Sequence, residues 1–320
     1  MSLQVENLKI YYQTLYGDVK ALDGVSFGIR DGEIMGLAGE SGCGKTTLGY
    51  SLIHLTPPKK YVDGKVTLDG ENLPIWDTDK MNPFRFKKVS IIPQYAMSAM
   101  NPTRRIGKMT GELLESRRVN YAATLPELKR RLDLVDLSPE VLNMYPIELS
   151  GGMKQRMVMV LSTLMNPSLL VADEITSALD VSTQQAVAEM LVEFRDRQFV
   201  KSMIVITHDI SILYQVADTI MVMYAGKQAE KAPTETIIHS PCHPYTKLLI
   251  SSLPKVGVKH STKKLTGIPG NPPVLLNPPT GCRFRDRCPV AFAKCVEEPP
   301  FVEIKKDHYV ACWKEMENHA

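Results

Sequence analysis

The chain has 320 residues, of which 44% are hydrophobic and 23% are charged, and its formal net charge is +3. That length is enough for one large or two modest domains, and the composition is ordinary for a soluble globular protein. The charge bias is too small to favour nucleic acid as the main partner. The sequence contains neither an apolar run of roughly 20 residues, the length that spans a bilayer, nor a secretory signal. We therefore expect a protein on the cytoplasmic side, linked to any membrane through a partner.

Hydrophobic patterning predicts strands alternating with helices over the first 250 residues. Two segments alternate in the manner of strands, residues 5–10 and 21–29. Five short apolar runs are typical of buried strands, at 34–38, 89–93, 169–173, 203–207 and 220–224. A helix is predicted over residues 46–55, and residues 107–143 have a more polar helical pattern. The order indicates an α/β fold.

A glycine-rich loop follows the first buried strand and precedes a helix. Residues 39–46 match G-x-x-x-x-G-K-S/T at every fixed position. Such a loop wraps backbone N–H groups around a phosphate. We expect Lys45 to reach the β- and γ-phosphates and Thr46 to ligate Mg²⁺, whereas a plain glycine turn before a helix would not require the full motif. The predicted nucleotide-binding residues of this segment are Gly39, Ser41, Gly42, Cys43, Gly44, Lys45, Thr46 and Thr47.

Two adjacent carboxylates end a later apolar strand. Asp173 closes the run 169–173, and Glu174 follows it. Asp173 is predicted to hold Mg²⁺, mostly through water, and Glu174 to orient and polarise an attacking water. The alternative is a pair of solvated acids that cap the helix beginning near Thr176.

The string Leu149–Arg156 reads LSGGMKQR. Together with the glycine loop before it, this string resembles the ATP-binding-cassette (ABC) ATPases. The resemblance implies a RecA-like P-loop NTPase core with an antiparallel β subdomain and an α-helical subdomain at about residues 95–160. In that family the LSGGQ-like segment of one subunit closes on the ATP of another. Ser150, Gly151 and Gly152 are therefore expected to contact the nucleotide of a partner.

The same resemblance gives roles to residues outside these motifs. It makes Glu174 the catalytic glutamate and His208 the γ-phosphate sensor, although a lone histidine is more often structural. Gln94 matches the glutamine that links the Mg²⁺ site to the membrane subunit, and it is otherwise an ordinary loop residue. Tyr16 is predicted to stack on adenine, with Tyr11 and Tyr12 as competitors. Residues 177–180 resemble the family's D-loop.

Composition changes after about residue 250, where nine of the 22 prolines and four of the six cysteines lie. Proline pairs interrupt helices and sheets, so we predict an ATPase domain over 1–250 and a small loop-rich C-terminal domain over 251–320. The segment 243–249, HPYTKLL, resembles ATPases of oligopeptide and dipeptide importers, and residues 268–270 and 278–284 resemble their tails. Relatives in thermophiles also import oligosaccharides.

The four C-terminal cysteines have the spacing C-x5-C-x6-C-x16-C, which lacks the close pair of most zinc sites. Disulfides are unusual in a reducing compartment, whereas four thiolates are what a 4Fe–4S cluster requires. Some members of this importer group carry such a cluster in this tail. We predict a 4Fe–4S cluster, and zinc or plain thiols remain alternatives. Its ligands would be Cys282, Cys288, Cys295 and Cys312, with Cys43 and Cys242 excluded.

Two positions depart from the family pattern. Ile175 stands where proline usually follows the catalytic glutamate, and both carboxylates before it are kept. The segment 94–102 lacks the Asp-Pro common after Gln94, which points to a divergent membrane partner. Hydrolysis is expected to survive the change at Ile175.

The sequence as a whole predicts the ATP-hydrolysing, energy-coupling subunit of a membrane importer, using ATP and Mg²⁺. The expected partners are a second ABC ATPase, forming a heterodimer, two transmembrane permease subunits and, indirectly, an extracytoplasmic solute-binding protein. The expected location is the cytoplasmic face of the membrane, held peripherally. A soluble ABC ATPase of DNA repair or translation is the alternative, but those usually have a long coiled-coil insertion or tandem cassettes. A non-enzymatic iron–sulfur regulator is disfavoured because Lys45, Asp173, Glu174 and His208 are all present.

Overall fold

A computed structural model of the chain describes residues 1–94, 100–176, 180–252 and 267–319. Two β-sheets and their flanking helices make up this part of the chain. Its strands are β1 (Leu3–Thr14), β2 (Gly17–Ile29), β3 (Ile34–Ala38), β4 (Lys59–Leu68), β5 (Glu71–Asn72), β6 (Val89–Ile92), β7 (Leu169–Asp173), β8 (Ser202–Ile206), β9 (Thr219–Tyr224), β10 (Lys227–Pro233), β11 (Val302–Lys305) and β12 (His308–Val310). Its α-helices are α1 (Lys45–Ser51), α2 (Thr78–Met81), α3 (Ile106–Ser116), α4 (Tyr121–Leu134), α5 (Gly151–Thr163), α6 (Val181–Asp196), α7 (Ile210–Val216), α8 (Thr234–His239), α9 (Pro244–Ser251) and α10 (Trp313–His319).

The larger sheet has eight strands in the order β11-β12-β10-β9-β3-β8-β7-β6. The pairs from β9 through β3, β8 and β7 to β6 are all parallel. Every residue of β3, β7, β8 and β9 is buried, as expected for parallel strands covered on both faces. These are the strands that the short apolar runs predicted. Their carboxyl ends meet at one edge, so the loops that follow β3, β6, β7 and β8 are brought together there.

The smaller sheet is antiparallel, in the order β2-β1-β4-β5. Its inward-facing side chains share one apolar core with α1 and the larger sheet, in which Leu3 and Leu22 pack with Leu48 and Val171. The predicted antiparallel β subdomain is thereby confirmed. The contact places the turn end of β1 and β2 beside the loop that follows β3.

The helical subdomain comprises α3, α4 and α5. The helical pattern over residues 107–143 is confirmed in α3 and α4, whereas Pro139–Asn143 forms a 3-10 helix. Ser150 is the N-cap of α5, and its hydroxyl accepts a hydrogen bond from the N–H of Met153 at 3.3 Å. Of the predicted loop over 94–102, residues 95–99 lie outside the described residues.

The C-terminal region continues the larger sheet instead of standing apart from it. Strand β12 pairs with β10, with Glu230 opposite Val310. Behind this pairing, the buried Glu230 carboxylate lies 2.7 Å from Nε2 of the buried His308. The sheet connection joins residues about 80 positions apart, so the local excess of proline and cysteine gave no sign of it. None of the described helices is long and apolar enough to cross a membrane.

Candidate nucleotide-binding site

A cavity of about 460 Å³ lies at the edge where the parallel strands end. The polar part of its lining comes from the glycine loop and from the residues that follow β7 and β8, and the apolar part comes from β2 and from the C-terminal region. The lining residues are Tyr12, Val19, Ala21, Gly39, Ser41, Gly42, Gly44, Lys45, Thr46, Thr47, Glu174, His208 and Leu275. Every predicted residue of the glycine loop is among them except Cys43, which is buried behind the loop.

Two glycines of this loop are required by close backbone approach. Gly39 has φ +143°, and a Cβ there would lie 2.2 Å from the carbonyl oxygen of Met223. Gly44 has φ +109°, and its Cβ would lie 2.4 Å from the carbonyl oxygen of Ala21. Any larger residue would push the loop away from β2 and β9, so the glycines keep the loop at the floor of the cavity.

The ammonium of Lys45 is held by the loop itself. Its Nζ donates to the carbonyl oxygens of Gly39 at 2.7 Å and Glu40 at 3.1 Å, and it lies 3.7 Å from Sγ of Cys43. The side chain is only 8% exposed. A positive charge is therefore fixed at the centre of the loop, where an anion cradled by the loop would meet it.

Asp173 is buried at the end of β7, and only the nearby Thr46 and Lys45 offset the cost of its charge. Neither of its carboxylate oxygens has a hydrogen-bond partner within 3.5 Å in the described part of the chain. Burial, and next the negative charge of Glu174, raise the pKa of Asp173 to about 6, against the opposing influence of Thr46 and Lys45. A buried carboxylate with two unpaired oxygens is costly unless a cation satisfies it. The donor set of Asp173 and the Thr46 hydroxyl fits Mg²⁺, which prefers oxygen ligands.

The carboxylate of Glu174 lies next to two of the predicted site residues. Nε2 of Gln94 donates to Oε2 of Glu174 at 2.6 Å, and Nδ1 of His208 lies 3.7 Å from Oε1. Glu174 has φ +47°, an uncommon conformation for a residue with a side chain, and its N–H donates to the carbonyl of Ile206 at 2.8 Å. That turn ends β7 and directs the carboxylate to the cavity. Gln94, predicted to act at the Mg²⁺ site, contacts the catalytic candidate instead of Asp173.

The aromatic residue at this cavity is Tyr12, whose hydroxyl lies 3.1 Å from Oγ1 of Thr47. Tyr16, predicted to stack on adenine, is 87% exposed and is not among the lining residues. It occupies the tight turn in which the Thr14 hydroxyl donates to the Gly17 carbonyl at 2.7 Å, so its side chain extends into solvent. The sequence predicts Tyr12 only as a competitor of Tyr16 for stacking on adenine. A register irregularity between Ile10 and Tyr12 in the β1–β2 pairing makes strand alternation a poor guide there.

The signature residues lie elsewhere on the chain. None of Ser150, Gly151 and Gly152 is among the described residues that line the cavity. Ser150 and Gly151 are exposed, and Gly152 is half-buried at the start of α5. Of the predicted D-loop, residues 177–179 lie outside the described residues, while Asp180 caps α6 by accepting from the N–H of Thr183 at 2.9 Å.

Leu275 is the lining residue that had no counterpart among the predictions. It lies in the proline-rich C-terminal region, and no local motif distinguishes it. Val19 lies just before the segment 21–29 that is predicted as a strand, and Ala21 is predicted only as part of that strand. The signal for all three is tertiary, because they reach the cavity through the packing of the smaller sheet and the C-terminal region.

The four C-terminal cysteines lie close enough for their thiols to influence one another. The N–H of Cys282 donates to the carbonyl of Cys295 at 3.1 Å, and burial followed by the neighbouring thiols raises the pKa of Cys282 to about 11. Burial also raises the pKa of Cys288 and Cys312. No three of these sulfurs lie within 4.8 Å of one another.

Comparisons with known proteins agree with this geometry. Residues 22–177 match the ABC transporter family, and residues 229–295 match the C-terminal region of oligopeptide/dipeptide transporters. The dipeptide transport ATP-binding protein DppD of Bacillus subtilis is 39% identical over 317 residues, which cover 97% of this chain and 94% of the relative. The oligopeptide transport ATP-binding protein OppD of Escherichia coli is 36% identical over 319 residues, covering 98% and 94%.

A solved structure has the same fold. The ATP-binding cassette MJ0796, as a dimer bound to ADP and Pi, superposes with a TM-score of 0.62 at 23% identity. The match covers 72% of this chain and 98% of the cassette. The predicted α/β cassette fold is therefore confirmed.

Proposed function

The chain belongs to the ABC transporter family, among the ATP-binding proteins of oligopeptide and dipeptide transport, and from that premise we propose that it hydrolyses ATP in the cavity described above to drive the import of short peptides. One observation carries the site assignment. Three charged groups meet around one glycine loop. They are the carboxylate of Asp173, whose oxygens have no hydrogen-bond partner within 3.5 Å, the ammonium of Lys45 and the carboxylate of Glu174. A cation, an anion and a water are what these three groups would bind.

The phosphates of ATP would be bound by the loop residues and by Lys45, whose ammonium would exchange a loop carbonyl for a phosphate oxygen. Thr46 and Asp173 would hold Mg²⁺, which when bound neutralises charge on the β- and γ-phosphates. Binding of the cation also removes the cost of burying Asp173 without a partner. ATP and its cation therefore complete a site that is electrostatically incomplete in their absence.

Hydrolysis would use Glu174 as the group that accepts a proton from the attacking water. The amide of Gln94 donates to one of its oxygens at 2.6 Å, and Nδ1 of His208 lies 3.7 Å from the other. Any rearrangement of Gln94 changes the orientation of this carboxylate. That contact gives the loop after β6, the predicted docking segment for a membrane subunit, a direct route to the catalytic group.

The position of the signature residues supports a composite site. Ser150 and Gly151 are exposed and belong to a different surface from the cavity of their own chain. They can act on a nucleotide only if another ATPase subunit presents its cavity to them. We therefore favour a dimer with a second ABC ATPase, as a heterodimer, bound to two permease subunits at the cytoplasmic face of the membrane. A solute-binding protein would act indirectly, by delivering cargo.

The match of the C-terminal region supports short peptides as the cargo. Oligopeptide and dipeptide transport is what the most similar relatives are named for, and oligosaccharide import remains a second candidate from resemblance alone. A soluble ABC ATPase is not favoured, because the relatives align over 97% and 98% of this chain.

Uptake by cells tests the cargo and the ATP site together. Cells that carry this chain with Lys45→Ala should lose uptake of a labelled dipeptide and a labelled tetrapeptide while keeping that of a labelled trisaccharide. Lys60→Ala, which removes an exposed lysine of β4, is the matched control and should transport normally. Loss of trisaccharide uptake alone would replace peptides by oligosaccharides as the cargo.

The four C-terminal cysteines are proposed to hold a 4Fe–4S cluster, which would supply a covalent staple to a tail rich in proline. Their number, four, is what such a cluster requires. Anaerobic purification should give about four iron and four sulfide per chain, and Cys282→Ser should lower both. Cys242→Ser, outside the group, should change neither. One zinc per chain, or no metal, would refute the cluster and leave the ATPase assignment intact.

A further inference from the structure

A segment of the C-terminal region, residues 267–276, runs alongside the nucleotide cavity and is anchored near both of its ends. Near one end, the carbonyl of Leu275 accepts a hydrogen bond from the N–H of Lys20 in β2 at 2.9 Å. Near the other end, the carbonyls of Ile268 and Pro269 accept from Arg287 at 3.2 Å and 2.7 Å. The side chain of Leu275, within this anchored segment, lines the cavity.

The guanidinium of Arg287 is fully engaged at this junction. Besides the two carbonyls, it donates to both carboxylate oxygens of Glu40, at 2.7 Å and 3.0 Å, and to the hydroxyl of Tyr224 at 3.1 Å. These contacts use all five of its N–H donors. Its side chain is only 6% exposed. A buried, bidentate and fully satisfied arginine is rigidly placed, unlike an exposed surface ion pair.

Glu40, the partner of Arg287, is the second residue of the glycine loop. Its N–H donates to the hydroxyl of Tyr245 at 2.8 Å, and its carbonyl accepts from Lys45 at 3.1 Å. Tyr245 belongs to α9, and Arg287 follows it by more than 40 residues, so two C-terminal elements hold this position. The conformation of the loop that meets the phosphates therefore depends on residues outside the cassette motifs.

The charge of Glu40 makes the pairing consequential. An unpaired carboxylate in this loop would repel a triphosphate, and a free side chain could turn toward Lys45 and compete with the phosphates for it. The bidentate pair neutralises the carboxylate and holds it away from the lysine. Hydrogen bonding to Glu40 in turn raises the pKa of Arg287, which stays charged throughout the physiological range.

We propose that Leu275 and Arg287 extend the nucleotide site beyond the cassette motifs. Leu275, with Tyr12, Val19 and Ala21, forms the surface that contacts the base or ribose of the nucleotide. Arg287 is a positioning residue, which acts through Glu40 to keep the glycine loop ready for phosphates. The inference depends on the proposed function, because it requires this cavity to bind ATP.

The two roles predict different responses to ligand. The dissociation constants of the purified full chain are measured for ATP and for inorganic triphosphate, by competition with a fluorescent adenine nucleotide. Leu275→Ala should weaken ATP about fivefold and leave inorganic triphosphate unchanged, since only ATP has a base and ribose. Val274→Ala, at an exposed neighbour in the same segment, should change neither. Equal effects of Leu275→Ala on both ligands, or no effect on ATP, would overturn the base-contact role.

Arg287→Ala should weaken both ligands about tenfold, and the additional change Glu40→Gln should restore most of that loss. Rescue would assign the loss to the unpaired charge of Glu40, and an unchanged urea-unfolding midpoint of Arg287→Ala would exclude a general fault in folding. Arg285→Ala, in the same turn but paired with the exposed Asp286, is the matched control. Arg287→Ala without loss of affinity, or a loss that Glu40→Gln does not reduce, would overturn the positioning role.

Lys45→Ala distinguishes failure of this inference from failure of the proposed function. If Lys45→Ala abolishes binding while the Leu275 and Arg287 variants bind normally, the cavity still binds ATP and only the inference falls. If Lys45→Ala binds ATP normally, the cavity is not the nucleotide site and both proposals fall.

Discussion

The phosphate end of the cavity is built from polar groups that follow parallel strands, whereas the apolar part of its lining comes from side chains of β1, β2 and the C-terminal region. At the phosphate end, Asp173 is buried without a hydrogen bond and Glu174 has a positive φ. In the C-terminal region, Leu275 is held by a backbone hydrogen bond, and Arg287, which pairs with Glu40 of the glycine loop, has every donor satisfied. The carboxylate of Asp173 is left without a hydrogen bond until ligand binds, whereas these C-terminal contacts are satisfied already.

This contrast indicates which substitutions should affect activity and which should affect stability. Groups at the phosphate end are costly to the folded chain and useful to the reaction, as is common at functional sites. Conservative changes there should therefore abolish chemistry without unfolding the chain. The C-terminal contacts should instead contribute to both stability and affinity.

The largest expected effect is on the rate of hydrolysis. Glu174→Gln keeps the size of the side chain but removes the group that accepts a proton, so turnover by the assembled transporter should fall about 10²–10³-fold. ATP affinity should change less than about threefold, because Lys45 and the glycine loop are intact. Glu189→Gln, at an exposed acid of α6, is the control. Near-normal phosphate release from the Glu174 variant would assign the proton acceptor to another residue.

A smaller effect is expected on the free energy of unfolding when the charge of Asp173 is removed. This change should increase stability although it weakens function. Since burial raises the pKa of Asp173 from 3.8 to about 6, the folded chain holds a proton that the unfolded chain releases between these values. Its stability in the absence of Mg²⁺ should therefore decrease as pH rises through that window. Asp173→Asn removes the buried charge and should stabilise the nucleotide-free chain by about 2 kcal/mol at pH 7.5.

Urea unfolding of the wild type and the Asp173→Asn chain at several pH values measures this difference. The two curves should converge toward pH 3.8, separate as the pH rises from 3.8 to about 6, and stay apart above that. Adding Mg²⁺ and ATP should stabilise only the wild type. A variant that is less stable than the wild type at pH 7.5 without Mg²⁺ would mean that Asp173 is compensated in the folded chain.

The smallest expected effect concerns acid stability of the C-terminal contacts. Burial lowers the pKa of His243 from 6.5 to about 4, so the folded chain keeps it neutral while the unfolded chain takes up a proton. Stability should be complete above pH 6.5 and decrease below it, by about 1–2 kcal/mol at pH 5. His243→Asn keeps an acceptor for the N–H of Tyr245, which Nδ1 now accepts at 3.0 Å, and should flatten this part of the profile.

His239→Asn is the control for that profile, because His239 is exposed in α8. It should leave the acid limb of the unfolding curve unchanged. If His243→Asn and the wild type lose stability equally between pH 6.5 and 5, another group accounts for the acid sensitivity.

Much of the phosphate end could be predicted because its groups are adjacent in the sequence. The glycine loop, the Asp173–Glu174 pair and His208 each follow a continuous apolar run, and such runs are the strongest sign of buried parallel strands. Once those strands are aligned, their carboxyl ends must meet. The chemistry of this end is thus encoded locally.

The apolar lining of the cavity and its C-terminal contacts could not be predicted in the same way. Tyr12 reaches the cavity and Tyr16 does not because of a register irregularity and a tight turn in one hairpin. The contact of Arg287 with Glu40 joins residues 247 positions apart. No local pattern specifies such pairs, since they result from how the C-terminal region packs on the finished cassette.

A structure of the Glu174→Gln chain with Mg²⁺ and ATP would show whether this cavity is the nucleotide site. We expect the triphosphate in the glycine loop with Lys45 at its β- and γ-phosphates, the cation at Thr46 and Asp173, and the base or ribose against Leu275. ATP bound at another surface, or a cation that does not approach Asp173, would contradict it.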